Sequence, residues 1–262
     1  MKLFRSLFVL IAAMGLMFGL SSCSNNNASL SDAQKAQVDQ QIHDYLLANP
    51  DILNQMVQKL QAQQMQQQQA QARGAIKQNA AQIVNDPNSP VAGDANGTVT
   101  VVEFFDYQCV HCAHMYPIVK QVMAANPNVR FVFKEFPIFG GPSQYAATAA
   151  LAAVKQGKYL QMHNALFDSG DIEGKMTNAK VDAIARKAGL NVMELKRAMK
   201  ADAVGNELKS TFMLAQQLGI QGTPAFIIVP TNLGATTPDA QIGFIPGGTD
   251  VNGLQQAINA AK

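Results

Sequence analysis

The sequence has little cysteine, no tryptophan and no marked excess of either charge. Its 262 residues include three Cys, and 20 Lys and Arg stand against 18 Asp and Glu. Three cysteines are too few for a small fold held together by several disulfides. Hydrophobic residues make up 48% of the chain and charged residues 15%. These proportions exclude a predominantly disordered chain and allow a packed core.

The first 22 residues contain no acid and are typical of an export signal. Lys2 and Arg5 precede an apolar run over residues 7–20. This run is shorter than the roughly 20 residues of a membrane-spanning helix, and its flanks suit a signal peptide. Without these residues the chain has 18 basic and 18 acidic side chains. A balanced charge argues against nucleic acid as a partner, because binding phosphates requires a basic surface.

The end of the apolar run carries a second signal. Small residues precede Cys23 in the stretch Leu-Ser-Ser-Cys, which resembles the lipobox of bacterial lipoproteins. The resemblance implies that Cys23 is acylated and that this lipid alone holds the protein to a membrane. Ser24, in place of Asp, is similar to the outer-membrane sorting pattern of enterobacteria and implies a periplasm-facing protein. An ordinary signal peptide or an uncleaved anchor is the alternative.

A polar tether over residues 23–30 leads into a helical region over residues 31–85. Ser31 and Gln34 fit a capping box, and apolar residues recur at helical spacing over residues 38–46 and 52–60. Eight of the eleven residues from 61 to 71 are Gln. Because Gln and Ala form helices well, we predict one long helix from Pro50 to about Val84.

The two apolar stripes of this region are too small to form a stable core by themselves. Burial against the same stripes of a second chain is the simplest solution, and closed two-fold symmetry is the commonest outcome. We therefore predict a homodimer formed through residues 31–85. Packing of the stripes on the chain's own catalytic domain is the alternative.

After Pro90 the pattern changes to that of an α/β fold. Strands are predicted over residues 98–105, 129–136, 225–229 and 241–245. Helices are predicted over residues 109–126, through most of residues 143–219, and over residues 251–261, where Asp250 is the cap. The order is β-α-β, several helices, and then β-β-α. His43 and His163 fall in helical patterns and are predicted to lie at the surface.

The sequence Cys109-Val110-His111-Cys112 carries the clearest chemistry of the chain. A helix beginning at Cys109 places its sulfur beside unpaired backbone N–H groups and the positive end of the helix dipole. This position lowers the pKa of the thiol and predicts that Cys109 is the attacking thiolate. His111 adds positive charge if protonated, and Cys112 is the resolving thiol. The Cys109–Cys112 disulfide then needs no further cofactor.

Other functions of the two cysteines have to be weighed against this one. A zinc site would use His114, but it lies two residues after Cys112 and no second CxxC is present. Haem attachment needs His where Ala113 stands, and an inert disulfide more often closes a longer loop. The alternative function is an envelope binding or scaffold lipoprotein whose CxxC is non-catalytic or binds metal; our prediction includes no metal site.

The segment EFFDYQCVHC after a strand, the helical block, and Gly222-Thr223-Pro224 before a late strand together resemble the DsbA family of thiol:disulfide oxidoreductases. The resemblance covers residues 86–262. It implies a thioredoxin fold with a helical domain inserted at about residues 140–219. The N-terminal helices are similar to those of dimeric DsbA-like envelope proteins. The implied activity is to form or isomerise disulfides in exported proteins.

The resemblance also implies roles for individual residues. Pro224 matches a proline with a cis peptide bond, whose preceding backbone, at Thr223, pairs with substrate. Glu103 matches a buried acid beneath the active site, whose raised pKa suits it to relay the proton of Cys112. His111 matches the His of the family's CPHC motif, whereas Val110 departs from its Pro. This departure prevents us from carrying over a redox potential.

Partners are implied in the same way. An oxidase of this family is recycled by a DsbB-like quinone reductase, and an isomerase by a DsbD-like electron donor. His111 favours the oxidase, while a dimerising N-terminus and Thr223 favour the isomerase. The clients in either case are exported proteins that contain cysteine.

Overall fold

The structure, a computed structural model, describes residues 31–262. The predicted signal peptide, tether and lipidation site at Cys23 lie outside the described residues. In the part of the chain that is described, no helix combines the length and the apolar character needed to cross a bilayer. The chain divides into two compact units, and the second unit begins at Ala62.

The first unit contains helix α1 (Asp32–Ala48) and the start of helix α2 (Asp51–Gln78). The predicted capping box is confirmed, since the backbone N–H of Gln34 donates to Ser31 Oγ over 3.3 Å and the N–H of Ser31 donates to Gln34 Oε1 over 2.9 Å. No residue of α1 is buried. Nine large apolar side chains in the described part of this unit are exposed by 40–70%: Val38, Ile42, Tyr45, Leu46, Leu47, Leu53, Met56, Val57 and Leu60.

The predicted single helix is interrupted near its end. Helix α2 stops at Gln78, and a short helix α3 (Ala80–Val84) follows. Asn79 lies between them, and both its backbone N–H and its side-chain amide donate to the carbonyl of Ala75, over 3.0 and 2.9 Å. Side chains of Asn compete for backbone groups in this way and commonly end helices.

The second unit is built around one five-stranded sheet within the described residues. Its strands lie in the order β1-β3-β2-β4-β5, with bounds β1 Val91–Gly93, β2 Val99–Phe105, β3 Arg130–Glu135, β4 Ala225–Pro230 and β5 Gly243–Ile245. Strand β2 runs parallel to β3 and antiparallel to β4. The four predicted strands are confirmed. Strand β1, which pairs antiparallel with β3, was not predicted.

Helices surround this sheet in the predicted order. Helix α4 joins β2 to β3, helices α5 to α9 form the insertion between β3 and β4, and α10 follows β5. Their bounds are α4 Val110–Ala125, α5 Gly141–Ala153, α6 Tyr159–Asp168, α7 Asn178–Lys187, α8 Val192–Ala198, α9 Asp202–Gln217 and α10 Val251–Ala260. The side chain of Asp250 caps α10, as predicted. The thioredoxin fold with an inserted helical domain is thereby confirmed.

Both faces of the sheet are covered, which is why all seven residues of β2 are buried. Val101 and Phe105 face a core shared with α4, α10 and the inserted helices. Val102 and Phe104 face a second core. This second core includes α9 and three fully buried side chains from the ends of the preceding helices: Ile76, Ile83 and Val84. Glu103 shares the face of Val101 and Phe105, because successive strand residues alternate.

Candidate active site

The two cysteines lie at the start of α4. Cys109 is the N-cap, with extended backbone angles, and Cys112 follows in the first turn. Cys109 is only 2% exposed and Cys112 is 0% exposed. An attacking Cys109 is expected to be accessible and a resolving Cys112 to be buried, but their exposed fractions do not show this contrast. His111 lies between them on the solvent side of the helix.

The two thiols nevertheless differ strongly in acidity. A hydrogen bond from the Cys112 thiol is the largest cause that lowers the pKa of Cys109, to about 5. Burial opposes this effect, while the Thr223 side chain and the backbone N–H groups of Cys112 and His111 reinforce it. Burial, followed by the neighbouring Cys109, raises the pKa of Cys112 far above its ordinary value. At neutral pH the pair therefore consists of one thiolate and one thiol.

The loop before β4 lies against Cys109. The Thr223–Pro224 peptide bond is cis, which confirms the prediction. In its protonated form the Cys109 thiol donates to the carbonyl oxygen of Thr223, with 3.3 Å between sulfur and oxygen. The fold therefore brings together two motifs that are more than 100 residues apart in the sequence.

Glu103 lies in the middle strand of the sheet, opposite Phe133 of β3 and Phe226 of β4. Its side chain is 5% exposed, and burial raises the pKa of its carboxyl group to about 8. It lines a cavity of about 260 Å³ together with Tyr116 and Lys120 of α4 and His163 of α6. The predicted burial and raised pKa of Glu103 are thus observed, on the side of the sheet that faces α4.

The prediction that His163 lies at the surface is wrong. Its side chain is 4% exposed and its ring lies 5.0 Å from that of Phe105 and 4.8 Å from that of Phe133, between centroids. Burial, with a smaller contribution from Lys120, lowers the pKa of His163 to about 3. Tyr159, Leu166 and Phe167 stand four residues before and three and four residues after it, a helical spacing that places His163 on the buried face.

Sequence reasoning missed a second buried acid, Glu135, at the end of β3. It is 1% exposed, and its Oε1 accepts hydrogen bonds from the hydroxyls of Tyr107, over 2.7 Å, and Tyr159, over 2.9 Å. Burial raises the pKa of Glu135 well above its usual range. The Tyr107 hydroxyl also lies 3.2 Å from His163 Nδ1. Its local signal is weak, because Glu135 follows Lys134 at the end of β3 and does not interrupt an apolar run as Glu103 does.

The described residues contain no cluster of three or more His, Cys, Asp or Glu side chains arranged to hold a metal ion.

Two family models match the chain. Residues 85–245 match the model described as Thioredoxin, and residues 34–72 match the model described as Copper resistance protein ScsC N-terminal domain. The first match spans more than half of the chain.

Solved structures similar to the chain agree with these matches. BcfH of Salmonella enterica Typhimurium is 35% identical with a TM-score of 0.76, and the similarity covers 87% of this chain and 96% of BcfH. A thioredoxin-like oxidoreductase from Silicibacter pomeroyi DSS-3 is 40% identical with a TM-score of 0.61. That similarity covers 69% of this chain and 96% of the oxidoreductase.

Curated relatives share a smaller part of the sequence. The thiol:disulfide interchange protein DsbA of Bordetella pertussis is 28% identical over 160 residues, which are 58% of this chain and 72% of that protein. The match to Na(+)/H(+) antiporter NhaA 3 of Salinispora tropica is 26% identical and covers 55% of this chain. It spans only 22% of the antiporter's length.

Proposed function

We propose, since the chain belongs to the thioredoxin family, that it is a thiol:disulfide oxidoreductase whose redox site is Cys109 and Cys112. The observation that carries this proposal is that both cysteines lie at the start of α4, with the loop of the cis Thr223–Pro224 bond 3.3 Å from the Cys109 sulfur. The opposite shifts of the two thiol pKa values agree with it. Similarity to proteins named as an oxidoreductase and as a thiol:disulfide interchange protein supports it. A stabilised Cys109 thiolate favours the reduced pair, so the disulfide form acts as an oxidant.

The proposed reaction transfers two electrons from two client thiols to the Cys109–Cys112 disulfide. A client thiolate attacks Cys109 Sγ, the bond between Cys109 and Cys112 breaks, and Cys112 leaves as a thiolate. A second client thiolate then attacks the client sulfur of the mixed disulfide and releases Cys109 as a thiolate. The low pKa of Cys109 makes it the better leaving group in this second step.

Glu103 and the Thr223 backbone have supporting roles in this proposal. Cys112 has a strongly raised pKa, so it must take up a proton when it leaves. Glu103, whose pKa of about 8 keeps it largely protonated at neutral pH, is the proposed proton donor. The Thr223 carbonyl, at 3.3 Å from Cys109 Sγ, marks the proposed position of the client backbone next to Cys109.

We further propose that the protein acts in the bacterial envelope, facing the periplasm, on exported proteins that contain cysteine. The signal-like N-terminus and the lipobox at Cys23 support this location. A DsbB-like oxidase partner or a DsbD-like reductant would recycle the site. Labelled palmitate should enter the wild-type protein but not Cys23→Ala, and equal labelling of both would contradict the lipid anchor.

The activity is tested by turnover of insulin disulfides with dithiothreitol and by oxidation of a reduced client peptide. We expect Cys109→Ser to abolish both activities and Cys112→Ala to accumulate a mixed disulfide through Cys109. His114→Ala, which changes an exposed residue of the same helix, is the matched control and should retain activity. A wild-type protein that neither turns over nor forms mixed disulfides would instead favour a scaffold function.

We also propose that the chain forms a homo-oligomer through the helical region, with a two-fold dimer as the simplest form. Nine large apolar side chains of α1 and the start of α2 are exposed by 40–70% within the single chain, and the association of such stripes removes them from water. The match of residues 34–72 to the ScsC N-terminal domain model agrees with a separate function for this region.

Self-association should be lost when charge is placed on the apolar face of α2. Leu53 and Val57 are 66% and 44% exposed and lie one helical turn apart. Leu53→Glu combined with Val57→Glu should weaken association roughly 100-fold or more, because each buried aliphatic side chain contributes about 1.5–3 kcal/mol. Gln55→Glu adds charge to the opposite side of the helix and should not. Sedimentation equilibrium decides this, and a wild-type monomer at every concentration would contradict the proposal.

A further inference from the structure

A buried hydrogen-bond network joins the loop before Cys109 to the inserted helices. Asp106, Gln108 and Ser143 are 1%, 2% and 0% exposed. The Ser143 hydroxyl, in the first turn of α5, donates to Asp106 Oδ1 over 2.7 Å. The side-chain amide nitrogen of Gln108, Nε2, donates to Ser143 Oγ over 2.8 Å. Buried polar groups cost free energy unless they are paired, so such a closed set is rigid.

Asp106 shapes the loop itself. Its Oδ1 also accepts the backbone N–H of Gln108 over 2.8 Å, and its Oδ2 accepts the backbone N–H of Phe139 over 2.9 Å. Its carbonyl accepts the backbone N–H of Cys109 over 3.1 Å. One buried residue thus holds the turn that delivers both cysteines to the start of α4.

Gln108 is held from a second direction by the turn between α6 and α7. Its carbonyl accepts the backbone N–H of Glu173 over 3.0 Å, and its Oε1 accepts the N–H of Gly174 over 3.1 Å. Glu173 has φ = 53°, in the left-handed region. A residue other than glycine keeps such a conformation only where its surroundings hold it. The backbone and side chain of Gln108 therefore both dock on the inserted helical domain.

We propose that Gln108 is a positioning residue, through which the inserted helical domain fixes the backbone of Cys109. Its amide does not touch the reacting sulfur. It anchors the residue immediately before Cys109, so that the sulfur stays beside the N–H groups of α4 and the Thr223 carbonyl. This inference rests on the proposed redox function, since it concerns the same thiol. It assigns the insertion a second role besides packing against the sheet, which is to set the reactivity of Cys109.

The test compares pH profiles of Cys109 alkylation in the full-length reduced protein, with the modified residue identified by mass spectrometry. Gln108→Leu and Ser143→Ala change no charge, and the titratable groups around the thiol (Asp106, His111, Cys112 and Glu173) remain in place. We expect each substitution to move the midpoint upward by about one pH unit, which lowers the rate at pH 4 roughly tenfold. In the double variant the midpoint should shift by less than the sum of the two single shifts, because both residues belong to one network.

Tyr145→Phe is the matched control. It removes a half-buried hydrogen bond of the same helix α5, from the Tyr145 hydroxyl to Asp182 over 2.8 Å, but this bond lies within the insertion and does not reach the loop. We expect the control to lose some thermal stability and to keep the wild-type midpoint. If Gln108 had only a structural role, Gln108→Leu would likewise lose thermal stability and keep the wild-type midpoint. That result would overturn the proposal.

Two further outcomes separate the positioning role from the proposed function. A wild-type midpoint near the ordinary thiol value of about 8.5 would count against the redox site itself. A low wild-type midpoint that Gln108→Leu leaves unchanged would count against Gln108 alone. If Gln108→Leu does not fold, Ser143→Ala, which deletes a single hydroxyl, must show the upward shift, and an unchanged profile there rejects the proposal.

Discussion

Alkylation of the reduced protein should follow a single ionisation with a midpoint near pH 5, and the modified residue should be Cys109. The hydrogen bond from Cys112 and the N–H groups at the start of α4 stabilise its thiolate. At pH 7 an ordinary thiol is only a few per cent ionised, whereas Cys109 should be almost fully ionised. Cys112 should stay unreactive across this range, because burial raises its pKa.

The same experiment identifies the main cause of the low pKa. Since the Cys112 thiol is the largest single contribution, Cys112→Ala should move the midpoint of Cys109 upward. Cys112→Ser keeps a hydroxyl donor at that position and should move it less. Two thiols that titrate together near pH 8.5, or a Cys112→Ala variant with an unshifted midpoint, would contradict this account.

Replacing Glu103 with Gln should stabilise the folded protein strongly above pH 8. Burial raises the pKa of Glu103 to about 8 from an ordinary value of 4.5. Below pH 4.5 both the folded and the unfolded chain keep the proton, and the group costs nothing. As pH rises, the unfolded chain loses the proton first, so stability falls until the folded carboxyl also ionises near pH 8. This shift corresponds to a loss of roughly 5 kcal/mol.

Urea unfolding of reduced protein at pH 4.5, 6, 7 and 8.5 measures this effect. The difference in free energy of unfolding between Glu103→Gln and wild type should increase with pH up to about pH 8 and then level off. Glu194→Gln, at an exposed position of α8, is the control and should show a small difference at every pH. Parallel pH profiles for Glu103→Gln and wild type would show that Glu103 is already ionised in the folded state.

The catalytic consequence of Glu103→Gln is separable from its effect on stability. If Glu103 supplies the proton that Cys112 takes up, the variant should form mixed disulfides more slowly, although it is the more stable protein. Wild-type rates of mixed-disulfide formation would limit Glu103 to a structural role.

Most of the sheet could be predicted because its strands are local apolar patterns. Strands β2 and β4 are runs of seven and six residues whose burial on both faces leaves an almost continuous apolar sequence, and β3 contains the apolar run Phe131–Phe133. Strand β1 could not be predicted, since its three residues are defined by pairing with β3. The break in the helix at Asn79 could not be predicted from helix propensity, which describes the Gln-rich stretch well. The side-chain amide of this one residue competes for the carbonyl of Ala75.

In the candidate site, too, features with a local sequence pattern could be predicted and long-range contacts could not. The CxxC and the Thr223–Pro224 bond are short motifs with recognisable neighbours, and the structure brings them together. The partners of Glu135 and Gln108 are different, because each set comes from two other, separated segments of the chain. No local pattern joins Tyr107 to Tyr159, or Gln108 to Gly174. These contacts exist only because the inserted helices return to the sheet.

The burial of Ile76, Ile83 and Val84 limits where the polypeptide can be cut. A fragment that starts at Asp86 would remove three side chains that are at most 1% exposed and would leave the second face of the sheet open to water. Since each such side chain contributes about 1.5–3 kcal/mol, this fragment would lose a large part of its stability margin. A catalytic domain that folds by itself therefore has to include the last turns of α2. The end of the Gln-rich helix thus contributes to the core of the domain that follows it in the sequence.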